Sequence, residues 1–180
     1  KDWQGLIDLA DGHLKKHPDD LAIAESAGTQ LMASQEPEPR KKSIHFFEYI
    51  VSRQPNSGQA HGMLGMCQYQ LGEQQKARSV LERAYSLAPE DLSILNNLTW
   101  MVCEDFKDPA AADKLAAKAM AGGANDPSLW DTWGVVLFRL GRPAEAQKAL
   151  EQALAHPQAS EETRHSARFH LARTLADTDK

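Results

Sequence analysis

The sequence predicts an all-α fold of about ten short antiparallel helices, and three observations predict it. Apolar residues recur three and four apart along the whole chain, with no sustained alternation and no Asn-Gly hairpin turn. Helix-ending residues punctuate that pattern at His17-Pro18, Gln54-Pro55, Gly72, Ala88-Pro89, Asp108-Pro109, Asp126-Pro127, Gly141 and His156-Pro157. They leave helices of about 12–16 residues joined by short turns. The punctuation also repeats: Gly72 in "QLGEQQ" and Gly141 in "RLGRPA" end equivalent helices 69 residues apart, which is two units of 34 and 35.

Residues 2–16, "DWQGLIDLADGHLKK", read as the second helix of a truncated preceding unit, closed by His17-Pro18. Four helix pairs follow, at 21–57, 58–91, 92–126 and 127–159. In the second unit Gly65, Ala77 and Pro89 stand twelve apart, and Gly134, Ala146 and Pro157 nearly repeat that spacing in the fourth. A glycine inside a helix costs roughly 1 kcal/mol against alanine. Its placement opposite a small residue predicts a close helix crossing whose contact offsets that cost. Residues 160–176 read as a final charged helix, either a cap or the first helix of a fifth unit.

These residues resemble the tetratricopeptide repeat (TPR) family, whose unit is a helix-turn-helix of 34 residues. The second unit carries Leu64, Gly65, Ala77, Leu81, Ala84 and Pro89, with His61 and Gln68 as departures. The fourth carries Trp130, Trp133, Gly134, Leu137, Ala146, Leu150 and Ala153. The third keeps Leu95, Leu98 and Val102, places Thr99 where a small residue is usual, and needs one inserted residue before Ala112, Ala116 and Ala119. The first is the most divergent, with about three extra residues in "SQEPEPRKK" between Gly28 and Ser43. The resemblance implies a right-handed superhelical solenoid in a single array over residues 1–180. "LNNLTWMV" and "LWDTWGVVLFRLGRPAEA" are also similar to bacterial repeat proteins of cell-envelope and polysaccharide export systems.

Composition narrows the function. The net charge of −5 is spread evenly, with 10 basic and 12 acidic residues in 1–90 and 10 and 13 in 91–180. The one basic cluster, "RKK" at 40–42, follows "EPEP", so no nucleic-acid partner is expected. No apolar run reaches the roughly 18 residues of a membrane span, so no membrane insertion is expected of this segment. Cys67 and Cys103 show no metal spacing and read as small buried or groove-lining side chains; they fix no compartment, cytoplasmic or periplasmic. Without an initiator Met or signal-peptide pattern, the chain reads as a segment of a longer protein.

Enzyme motifs are absent: no phosphate loop, HExxH, GxSxG or DxDxDG occurs. His13 and His17, four apart on a helix, lack a third ligand and read as solvated; His61 reads as a structural histidine at a packing position. No catalytic residue, cofactor or metal is expected.

In the TPR family the first helices of successive units line a concave groove. Carried over, that face includes Glu25, Thr29 and Met32, then Met63, Met66 and Tyr69, then Asn96, Asn97 and Trp100, then Val135, Phe138 and Arg139, with Arg164 and Arg168 from the last helix. Met63, Met66, Tyr69, Trp100, Val135 and Phe138 form either a docking surface for a peptide or packing between neighbouring first helices. Methionine-aromatic surfaces suit adaptable peptide grooves, and the resemblance implies that Asn96 and Asn97 bond a peptide backbone. The carboxylate clamp of some relatives lacks its cations here, leaving Arg139, Arg164 and Arg168 as candidates for a carboxylate. The expected function is a non-catalytic scaffold binding a peptide or partner helix. The alternatives are a self-associating array, its groove filled by its own chain or another copy, and a regulatory module of a larger enzyme.

Overall fold

The computed structural model describes residues 2–178. Among these, ten helices and no strand occur: α1 (Trp3–Lys16), α2 (Leu21–Met32), α3 (Pro37–Arg53), α4 (Gly58–Gln70), α5 (Gln74–Leu87), α6 (Leu92–Glu104), α7 (Pro109–Ala121), α8 (Pro127–Arg139), α9 (Pro143–Ala155) and α10 (Glu161–Thr178). They fall into two compact units, Lys1–Ala88 and Pro89–Lys180. In the first, α2 pairs with α3 and α4 with α5, and α1 packs on α2; in the second, α6 pairs with α7 and α8 with α9, and α10 packs on α9 and α8.

Local chemistry sets the helix ends. Asp2, Ser57, Asp91, Asp108 and Asp126 each accept a backbone N–H of the first turn, satisfying donors with no partner inside the helix. Proline opens α3, α7, α8 and α9, where its missing N–H costs nothing. Gly72 and Gly141, at φ 79° and 70°, take the left-handed conformation that ends α4 and α8. The following N–H of Glu73 and Arg142 then returns to the carbonyls of Gln68 and Leu137, both at 2.9 Å. The two repeats thus close in the same way.

The predicted crossings are present in both units. A Cβ on Gly65 would lie 2.8 Å from Leu81 Cγ and 3.4 Å from the Ala77 carbonyl; on Gly134 it would lie 2.6 Å from Leu150 Cγ and 3.4 Å from the Ala146 carbonyl. Gly28 meets the Phe47 ring in the same fashion, at 3.0 Å. Ala77, Leu81, Ala146 and Leu150 are fully buried, so the missing side chains let the helix pairs close over the core.

Three expectations are refined. The extra residues after Gly28 lengthen α3, which runs to 17 residues and is opened by Pro37. Ser34 anchors this entry, because Arg40 donates to its carbonyl at 2.7 and 3.1 Å. The irregularity of the third repeat sits in the turn after α6, where Lys107 adopts φ 55°. Trp133, which the repeat alignment would place in the core, is only half-buried at the core's edge: its ring lies 5.6 Å from that of Trp130, tilted by 43°, and its indole N–H reaches Asp113 at 2.8 Å. An indole needs a polar partner for its N–H, which holds its edge toward the surface.

Candidate interaction surfaces on the first helices

In the second unit, α8 lies between α6 and α10, and the three helices line one small cavity of about 50 Å³. Trp100 and Glu104 reach it from α6, Val135, Phe138 and Arg139 from α8, and His170, Arg173 and Thr174 from α10. Trp100, Val135 and Phe138, which the family resemblance implies share one face, all line this cavity. Val135 is buried, whereas Trp100 and Phe138 are half-exposed.

The polar rim differs from expectation. Arg139 is committed to Glu104, donating twice at 2.7 Å, so it offers no free charge to a carboxylate. This charge-assisted pair holds the Glu104 carboxyl below its usual range. Arg164 is outside the cavity lining and donates to the carbonyls of Ala159 and His156 at 3.2 Å, tying the turn before α10. Arg168 is exposed and outside the cavity lining. A second cation, Arg173, also lines the cavity, with its guanidinium carbon 5.5 Å from the centre of the Phe138 ring.

Buried Asp131 orients α10 against α8. Its two oxygens accept from His170 Nδ1 at 2.9 Å and from the Ser166 hydroxyl at 2.7 Å. His170 also packs on the Trp100 ring, with centroids 6.1 Å apart. Ser166, His170, Arg173 and Thr174 thus form the α10 stripe facing α8, two positions out of phase with Arg164 and Arg168. Apolar residues of α10 surround the helix, with Ala167 buried and Phe169 62% exposed, so periodicity does not reveal its phase.

Asn96 and Asn97 are half-buried on α6. The Asn96 side-chain oxygen is inaccessible and has no hydrogen-bond partner among the described residues, a costly state for a buried amide.

In the first unit, Met63 and Met66 on α4 join Thr29 and Met32 on α2 around a cavity of about 190 Å³, which Phe47, Cys67 and Gln70 also line. Tyr69 is half-buried outside this lining. Of the expected solvated histidines, His13 instead bonds Asp20 at 2.8 Å, and the His17 ring lies 4.7 Å from it. His61 bonds the Ser57 carbonyl through Nδ1 at 2.9 Å. Among the described residues no three His, Cys, Asp or Glu side chains gather into a metal site, and no helix is long and apolar enough to cross a membrane.

Paired helices with glycine crossings at a repeat of about 34 residues define a helical-repeat protein. A tetratricopeptide repeat profile matches residues 41–177, and the chain belongs to that family. Solved structures agree on the fold. MamA from Desulfovibrio magneticus RS-1 is 12% identical, with a TM-score of 0.63 over 88% of this chain and 94% of that one. YrrB, described as a TPR protein with an unusual peptide-binding site, is 14% identical, with a TM-score of 0.67 over 94% and 84%. TTC0263, a thermophilic TPR protein of Thermus thermophilus, is 16% identical, with a TM-score of 0.70 over 94% and 91%. No curated protein sequence matches the chain.

Proposed function

We propose that the chain is a non-catalytic interaction scaffold that binds an extended peptide of a partner protein on its first-helix faces. The observation that carries this reading is the convergence of Trp100, Val135 and Phe138 on one cavity rimmed by charged groups. A half-exposed indole beside a second aromatic ring is the kind of anchor that dominates interface energetics. A peptide-binding site described for YrrB, a protein of the same fold, is consistent with it.

The test is selection of binders from a displayed peptide library, followed by affinity and stability measurements on the same variants. Trp100→Ala and Phe138→Ala are expected to weaken a selected peptide by about 1–3 kcal/mol each. Tyr69→Ala reports whether the first unit takes part. Folded variants that bind as the parent does would move the site to another face. A Trp100→Ala variant that unfolds as readily as Leu137→Ala would make the indole a core residue.

A further inference from the structure

The cavity of the first unit has a chemistry that peptide docking does not require. Met32, Met63, Met66 and Cys67 line it together, four sulfur-bearing side chains from two helices. Residues 63, 66 and 67 follow helical spacing and share one face of α4, while Met32 comes from the last turn of α2. The Cys67 sulfur stands 3.6 Å from the Met32 sulfur. Two sulfurs on one ion, at about 2.3 Å each, stand roughly 3.7–4.0 Å apart in tetrahedral or trigonal geometry. The pair therefore needs to part by only a few tenths of an ångström. The other lining residues are Thr29, Phe47 and Gln70, with no carboxylate and no imidazole.

We propose that this cavity is a binding site for a soft monovalent metal ion, copper(I), held by the Cys67 thiolate and the thioethers of Met32, Met63 and Met66. Thioether and thiolate donors select copper(I), whereas calcium, magnesium and zinc prefer oxygen, nitrogen or several thiolates. The charge balance suits an apolar cavity: one thiolate and one monovalent cation make a neutral unit, so no net charge is buried. Binding exchanges the Cys67 proton for the metal and releases it to solvent, with no change in oxidation state. Burial holds the free thiol protonated, with its pKa raised, and coordination removes that proton. Ser43 is placed to assist, with its hydroxyl 3.1 Å from the Cys67 sulfur. That hydroxyl now bonds the Arg40 carbonyl at 2.6 Å and can turn its proton to the thiolate when metal binds.

The test is anaerobic titration of the reduced protein with copper(I), in competition with a chromogenic copper(I) chelator. One ion per chain is expected, with X-ray absorption showing only sulfur in the first coordination sphere. Met32→Leu, Met63→Leu and Met66→Leu nearly conserve volume and should keep the fold, and combined they should abolish competition with the chelator. Cys67→Ser should do the same, whereas Cys103→Ser should bind as the parent does. Ser43→Ala should lower affinity about 10-fold without changing the stoichiometry. Circular dichroism and melting of each variant separate loss of metal from loss of fold. Parental affinity in the folded triple Met→Leu protein would overturn the site, as would loss in Cys103→Ser with retention in Cys67→Ser, or nitrogen and oxygen in the coordination sphere.

Discussion

Gly134 faces Leu150 so closely that a Cβ built on the glycine would lie 2.6 Å from Leu150 Cγ and 2.7 Å from Cδ2. Leu150 is fully buried, so it has no open space into which to retreat. Gly65 repeats the relationship with Leu81 in the other unit, at 2.8 and 3.0 Å. Gly134→Leu and Gly65→Leu are therefore expected to destabilise by about 2–4 kcal/mol, through overpacking at a helix crossing. Gly12 is the internal control: a Cβ there meets nothing within 4 Å. Gly12→Ala should stabilise by up to about 1 kcal/mol, since alanine is the better helix former. Denaturant unfolding of the three variants checks both signs.

Asp131 holds α10 on α8 through Ser166 and His170. Asp131→Ala removes the acceptor from two half-buried donors and is expected to cost about 1–3 kcal/mol. Because His170 acts through the same carboxylate, the cost of the Asp131→Ala, His170→Ala double variant should fall short of the sum of the single costs. Amide exchange should quicken in α10 first. Strict additivity would show that the two residues do not work as a pair.

The pair of Glu104 and Arg139 predicts an acid-sensitive contribution to stability. The Glu104 pKa is lowered in the folded state, chiefly by its hydrogen bonds to Arg139. A depressed carboxyl pKa stabilises the fold in full above the ordinary value of about 4.3. That contribution is lost as pH falls through the lower folded value. Glu104→Gln should cost about 1 kcal/mol at neutral pH, a modest figure because the Arg139 side chain is one-third exposed. The difference between parent and variant should shrink toward zero below pH of about 4. Chemical denaturation across that range checks it.

Both thiols should be slow to react. Cys67 and Cys103 are buried and free. Burial raises both pKa values, and the adjacent Glu104 carboxylate helps push Cys103 to about 12. At pH 8, Cys103 should carry on the order of a thousandfold less thiolate than an ordinary cysteine of pKa about 8.5. Alkylation of the native protein should be slow at both positions and become fast for both on denaturation. Rapid native labelling of Cys103 would contradict its placement.

The sequence by itself determined the repeat, because the repeat is written in local terms. Helix periodicity, Gly72 and Gly141 at the turns, and the pairing of Gly65 with Ala77 and Gly134 with Ala146 all act within one hairpin. Each works through steric rules that hold for any chain. The convergence of Trp100, Val135 and Phe138 was also legible, because successive first helices stack in register. Tertiary structure alone decided how the polar groups at that cavity are partnered. Arg139 is spent on Glu104, 35 residues away, and Asp131 binds Ser166 and His170, 35 and 39 residues away. Such pairs form only where stacking brings two helices face to face, and no spacing within a single helix encodes them. The same holds for α10, whose apolar residues surround the helix and leave its rotation to be set by Asp131. It holds again for the sulfur cluster of Met32 and Cys67, which share a cavity only because the fold brings the end of α2 against α4.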